Sequence, residues 1–355
     1  MRKLLSPAAS LALASLPVSL TAQDKPVFHP DGTISVPAFE LPPSELASPE
    51  ARAAQADRSK STMATPPSDI PVDAIRQGLE AMLAPQVEAM KRVYPVTIAD
   101  TTIAGVPGRV ITPGSGTFDK KRVLINLHGG GFTMCATACA LLESIPVASL
   151  GGYKVVTVDY RQAPEHRHPA ALEDIEKVYR ALLKRYKPQS IGIYGCSAGG
   201  SLSAQTAAWL PSRGLPQPGA IGIFGAGAVR FFSGDSAHIA AYVDGSFPPP
   251  PKPGQHGADI TRGYFSEVSM DDPVVSPALH PDVVAKFPPT LIITGTRAMD
   301  LSPAVVTNSA LLNAGVQSTL IVGEGMGHCY IYQPDMPEAR DAHQATVDFF
   351  RKHLR

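Results

Sequence analysis

Two hydrophobic periods alternate along this chain and predict most of its elements. Ile75, Leu79, Met82, Leu83, Val87 and Met90 recur at steps of three and four, so residues 75–93 read as a helix with one apolar face. Two short strand-like runs follow, at 96–104 and 109–112. From Lys121 the pattern changes to nearly continuous apolar runs, at 123–127, 153–158, 191–194, 220–224, 290–294 and 319–322. A strand covered on both faces needs such a run, because neither side reaches water. Between the runs lie helical stretches. Residues 169–186 carry Leu172, Ile175, Val178, Leu182 and Tyr186 on one face, residues 198–210 are small, and residues 337–354 close the chain. Strands alternating with helices predict an α/β fold, with a mostly parallel central sheet and helices on both faces.

Two segments break the rhythm. Residues 24–70 are rich in Pro, Ser and Ala and read as an extended arm. Residues 229–275 hold Gly, Pro and aromatic residues between a strand and the next helix–strand unit. They read as an insertion over the carboxyl ends of the strands, where open α/β sheets bind ligands. Phe231, Phe232, Tyr242, Phe247 and Tyr264 concentrate there, in a chain with only 6% aromatic residues. With Phe132, the first three of these are the expected substrate-lining rings; the competing reading is that the rings pack the insertion on the core.

Charge excludes some classes. Lys plus Arg is 31 and Asp plus Glu is 31, so the net charge is zero. No basic face is implied for nucleic acid or for anionic membrane. Met1-Arg2-Lys3, the apolar stretch 4–20 and Ala22 have the layout of a secretory signal. The chain is therefore expected to lose residues 1–22 and act in the periplasm or outside the cell. The stretch is too short, and too interrupted by Pro7 and Pro17, for a permanent anchor. Export would permit oxidation of Cys135, Cys139, Cys196 and Cys329. The expectation is nevertheless four small buried thiols. Cys135 and Cys139 lack a second ligand pair, so no metal site is expected.

The chemistry is written in three loops. Gly195-Cys196-Ser197-Ala198-Gly199 stands directly after one predicted strand and before a helix. That is the context of a nucleophile elbow, where a tight turn lifts the Ser197 hydroxyl clear of the sheet and aims a helix N-terminus at it. His128-Gly129-Gly130-Gly131-Phe132 follows another strand, and its bare backbone suits an oxyanion loop. His128 is expected to fix that loop. His328 follows the last strand, as the chain order of this architecture requires of the base. Asp300 is the only carboxylate in the loop after the 290–294 run, and Glu324 is the alternative partner for His328.

These motifs, with Tyr160-Arg161-Gln162-Ala163-Pro164-Glu165-His166 and Phe287-Pro288-Pro289-Thr290, resemble the hormone-sensitive-lipase family of α/β-hydrolases, the bacterial carboxylesterases of that group. The resemblance covers about residues 95–355. It implies an oxyanion hole on the N–H groups of Gly130, Gly131 and Ala198. It also implies a cap from residues 23–95 and 229–275 over a catalytic domain spanning 96–355. Glu165 and His166 are expected to brace the site. The implied reaction is hydrolysis of carboxylic esters of short to medium acyl chains, by a monomer or homodimer without cofactor. An amidase, peptidase or lactonase would use the same machinery, and a non-catalytic ligand receptor would be expected to lack Ser197 or His328. The chain departs from the family twice. Cys196 stands where the family has Asp or Glu, which predicts loss of a hydrogen-bond anchor. Ala298 stands where the family's acid falls, so Asp300 can serve only if the loop bulges.

Overall fold

The protein is described by a computed structural model over residues 25–57, 70–245, 247, 249–250 and 259–355. The predicted signal at 1–22 lies outside the described residues, as do parts of the arm and of the 229–275 insertion. The chain divides into two units, residues 1–42 and 43–355. In the first, β1 (Val27–Phe28) and β2 (Ile34–Ser35) pair antiparallel as a short exposed hairpin.

The second unit begins with α1 (Pro49–Asp57) and α2 (Val72–Val93). There follow β3 (Val96–Ile103), β4 (Val106–Pro113), β5 (Asp119–Leu127), α3 (Ala138–Gly151), β6 (Tyr153–Val158) and α4 (Ala170–Leu183). Next are β7 (Ile191–Cys196), α5 (Ala198–Ser212), β8 (Ala220–Phe224), α6 (Asp235–Val243) and α7 (Pro281–Val284). The chain closes with β9 (Thr290–Gly295), α8 (Leu301–Asn313), β10 (Ser318–Gly323) and α9 (Pro337–His353).

Strands β3 to β10 form one sheet in the order β10-β9-β8-β7-β5-β6-β4-β3. All neighbours from β10 to β6 are parallel, and the β3–β4 and β4–β6 pairs are antiparallel. Successive residues feed opposite faces. Val123, Ile125, Ile193 and Ile223 pack with α4, α5 and α8, while Leu124, Tyr194 and Phe224 pack with α2, α3 and α9. Both faces of β7, β8 and β9 are buried, which is why their sequences are continuous apolar runs. β3 lies at the edge and stays partly exposed, so it alternates.

β5 has β6 on one side and β7 on the other. The strand order reverses there, and such a switch point opens a crevice at the carboxyl ends of the strands. The His128–Phe132 loop leaves β5 at that end, and Ser197 leaves β7.

Helices α1, α3, α6 and α8 have no counterpart in the hydrophobic pattern, and α1 stands within the segment that reads as an extended arm. Residues 138–148 of α3 are buried all round, so the helix carries no amphipathic stripe.

Candidate active site

Ser197 sits between β7 and α5 with φ 59° and ψ −122°. A non-glycine residue there is strained, by about 1–3 kcal/mol, and needs its surroundings to hold it. The Ser197 N–H donates to Phe224 O at 2.8 Å. Small neighbours are obligatory: a Cβ on Gly195 would lie 2.0 Å from Leu127 O, and one on Gly199 would lie 1.7 Å from the same atom.

The residues expected as nucleophile, base and acid meet here. Ser197 Oγ lies 3.0 Å from His328 Nε2, and His328 Nδ1 lies 2.6 Å from Asp300 Oδ1. Asp300 is fully buried, and its other oxygen accepts from Thr294 Oγ1 at 2.5 Å. A carboxylate on Nδ1 keeps the proton on that nitrogen and turns the Nε2 lone pair toward the hydroxyl. The two-residue offset of Asp300 is absorbed by a turn, with Ala298 N–H donating to Gly295 O and Leu301 N–H to Ala298 O. Met299 O accepts from Ser236 Oγ, which fixes the turn from the side of α6. Glu324 faces away and accepts from Ser44 Oγ at 2.8 Å. The fold thus brings Asp300, and not Glu324, to the imidazole.

The glycine loop after β5 is held along its length. Gly130 has φ 111°, and a Cβ there would lie 2.0 Å from Met134 O. Gly130 O accepts from the N–H groups of Thr133 and Met134, closing a turn. The carbonyls of residues 132–134 are bound from outside: Phe132 O by Ala163 N–H, Thr133 O by Arg76 Nε and Met134 O by Gln162 Nε2. Arg76 also pairs with Glu165, so the Tyr160–His166 segment and α2 brace the loop together. Glu80, also on α2, accepts the N–H groups of Thr137 and Ala138 at the start of α3. Arg76 and Glu80 escaped the sequence reading, because nothing in a helix's own pattern names a carbonyl on another element. His128 is fully buried, donates from Nδ1 to Gly129 O and stacks on Tyr160. Burial pushes its pKa down to about 4, so it stays neutral at neutral pH.

Glu143 on α3 also went unnoticed, and it touches all three loops. One carboxylate oxygen accepts from Gly129 N–H and Tyr332 O–H, and the other from Cys196 N–H and Asn126 Nδ2. Gly129 belongs to the oxyanion loop, Cys196 to the elbow, and Tyr332 to the turn after His328. The anchor expected to be lost with Cys196 is thus supplied by a different residue. A lone carboxylate in the apolar stretch 138–148 was the available signal, because a buried charge is kept only with partners. Burial, opposed by these donors, raises its pKa to about 7.

The cysteines correct the expectation of free thiols. Cys135 pairs with Cys139, and Cys196 with Cys329. The second bridge joins the residue before Ser197 to the residue after His328, across 133 positions. It ties the elbow to the histidine loop and limits the unfolded chain, a contribution of about 2–4 kcal/mol. Thermal unfolding with and without a thiol reductant checks this. The wild type should melt at lower temperature when reduced, and a Cys196→Ser/Cys329→Ser double variant should start low and respond little. Equal wild-type melting temperatures in both conditions would contradict it.

A cavity of about 370 Å³ opens beside Ser197. Phe132, Phe231 and Phe232 line it, with Ile260, Phe265, Met270 and Val275. Tyr242 does not, and this corrects its expected role. α6 buries Ser236, Ala237 and Ala240, which leaves Tyr242 on the outer face, 82% exposed. Tyr264 is wholly buried and packs the insertion on the core, while the ring of Phe247 lies 5.2 Å from that of His328. None of the described residues before 96 lines the cavity. Among the described residues no cluster of His, Cys, Asp or Glu could hold a metal ion.

The sequence profile of the alpha/beta hydrolase fold matches residues 124–332, more than half of the chain. The chain belongs to the alpha/beta-hydrolase family. The match spans the Gly129–Gly131 loop, the turn at Ser197, Asp300 and His328. An acetyl-hydrolase of Streptomyces hygroscopicus is 29% identical to this hydrolase, covering 69% of this chain and 83% of its own. The solved structure of an esterase E25 superposes with a TM-score of 0.79 at 26% identity, covering 90% of this chain and 99% of that one. An esterase from the bacterial hormone-sensitive lipase family gives 0.74 at 26% identity, covering 87% and 99%.

Proposed function

We propose that this hydrolase cleaves carboxylic esters through an acyl-enzyme on Ser197. The observation that carries the reading is the line from Ser197 Oγ to His328 Nε2 and from His328 Nδ1 to Asp300, built on a strained elbow. In this mechanism His328 takes the Ser197 proton as the hydroxyl attacks the ester carbonyl. The N–H groups of Gly130, Gly131 and Ala198 receive the oxyanion. His328⁺ then protonates the leaving alcohol, and a water activated by the same imidazole releases the acid. Asp300 stabilises the imidazolium throughout. The aromatic lining of the cavity supports short to medium acyl chains, and the esterase relatives support esters over amides.

A fluorophosphonate probe tests the reading. It should label Ser197 stoichiometrically and abolish hydrolysis of p-nitrophenyl acetate and butyrate. Absence of labelling in folded protein would point to a ligand receptor, and labelling with amide but not ester turnover would point to an amidase.

The amino-terminal pattern and the two disulfides together support export, because such bridges persist in oxidising compartments. No helix among the described residues is long and apolar enough to cross a membrane. Mass spectrometry of protein from its native host should find a first residue near Gln23. An intact residue 1–22 segment on the soluble protein would end the export reading.

A further inference from the structure

The cavity beside Ser197 is apolar at its walls but not throughout. Ser197, Ser201 and Gln205 follow one another at steps of four along α5, and all three line it. Residues spaced in this way share a helix side, so the nucleophile stands at the head of a polar strip. The charged groups lining the cavity are engaged by protein. The carboxylate of Asp259 accepts from Thr261 and Gly263, and Arg230 pairs with Asp271 at 2.9 Å.

Gln205 is different. The residue is 2% exposed, and its amide oxygen is closed to solvent without a protein donor, so it is the other end of the amide that can meet a ligand in the cavity. Whichever way round the amide is turned, one end donates and the other accepts. Buried amides are rarely left without a partner, because desolvation without a hydrogen bond is costly. An apolar residue would pack the same place at no such cost.

The position of the cavity says which half of an ester enters it. The leaving oxygen must lie against His328 Nε2 to be protonated. His328 does not line the cavity, whereas Gly131 and Ala198, the proposed oxyanion donors, do. The cavity is therefore on the acyl side. Eight residues of helix separate the Cα atoms of Ser197 and Gln205 by about 12 Å. Helical side chains lean toward the N-terminus, so the Gln205 amide reaches back toward Ser197 and stands roughly six to eight bonds beyond a bound ester carbonyl.

We propose that Gln205 makes this an esterase selective for acyl groups that carry a hydrogen-bonding substituent, such as a hydroxyl or an amide, at that distance from the ester carbonyl. This rests on the ester-hydrolase reading above. Phe132, Phe231 and Phe265 hold the chain of such an acyl group, and Gln205 meets its polar end. A plain alkyl chain of equal length leaves the amide unpaired, which discriminates against it more sharply than a missing methylene would.

The test compares p-nitrophenyl octanoate with the same ester carrying a hydroxyl on its terminal or penultimate carbon. Wild type should favour one of the hydroxylated esters by about tenfold in kcat/KM, the size of one buried hydrogen bond. Gln205→Met, which keeps length and removes the amide, should bring that ratio close to one. Gln205→Asn, which withdraws the amide by one methylene, should move the preferred hydroxyl one carbon outward. A wild-type ratio at or below one for both hydroxylated esters overturns the inference, whether or not the variants fold. So does a ratio that is the same in wild type and a folded Gln205→Met. Hydrolysis of p-nitrophenyl acetate by wild type tests the esterase reading separately, since an acetyl group ends far short of Gln205.

Discussion

Ser197→Ala and His328→Ala should each abolish ester turnover, and Asp300→Asn should lower kcat by about 10⁴-fold. The asparagine keeps the shape of the carboxylate that now lies 2.6 Å from His328 Nδ1. It removes the charge that stabilises the imidazolium and allows the wrong tautomer, with the Nε2 lone pair no longer facing Ser197. Thr294, which donates to the second oxygen of Asp300, would hold the asparagine in place, so the loss should be one of chemistry and not of folding. Glu324→Gln should leave kcat within a few-fold of wild type, because that side chain serves Ser44. Steady-state rates with p-nitrophenyl butyrate, with circular dichroism on each variant, decide the matter. A folded Asp300→Asn retaining a tenth of wild-type activity would remove Asp300 from the mechanism, and a crippled Glu324→Gln would put the acid there.

Glu143→Gln should lower kcat by about 10²-fold although the residue touches no substrate. Each oxygen of Glu143 faces two donors. An amide must turn its NH₂ toward one of these pairs. Facing donor with donor costs roughly 2–3 kcal/mol. The groups displaced are either Gly129 and Tyr332 or Cys196 and Asn126. If the whole cost falls on the aligned state, it converts to the stated rate loss. The pH dependence carries a second signature. Burial raises the Glu143 pKa from 4.5 to about 7, so between those values the folded protein holds a proton that the unfolded chain releases. That contribution to stability is present in full below about 4.5 and is lost as pH rises to about 7. Activity should run the other way over the same window, because the ionised carboxylate alone accepts four donors. Thermal unfolding from pH 4.5 to 8 should show a shallower slope for Glu143→Gln than for wild type. Identical slopes, with undiminished kcat, would leave Glu143 a packing residue.

The strands of the sheet interior were legible because burial on two faces leaves a continuous apolar run, as at 191–194 and 220–224. The elbow and oxyanion loop were legible because close backbone approach demands glycine at fixed positions. Gly195, Gly199 and Gly130 each show a contact that no side chain would survive. Helix α3 was not legible, since a helix buried all round has no period to read. Tyr242 was misread for a related reason. An aromatic residue in an insertion can face in or out, and only the packing of Ser236, Ala237 and Ala240 settled its direction.

By itself the sequence determined the order of the sheet strands, the backbone positions that must stay bare, and the candidate nucleophile and base, because these depend on local periodicity and local sterics. Only the tertiary structure decided what depends on residues far apart in the chain. It chose Asp300 over Glu324 as the partner of His328 and joined Cys196 to Cys329. It placed the Glu143 carboxylate where Cys196 had left the elbow without one, and it set Gln205 against the cavity beside Ser197 with its amide oxygen unpaired. Hydrogen bonds, disulfides and burial act over a few ångströms of space, and the sequence does not record which distant residues come that close.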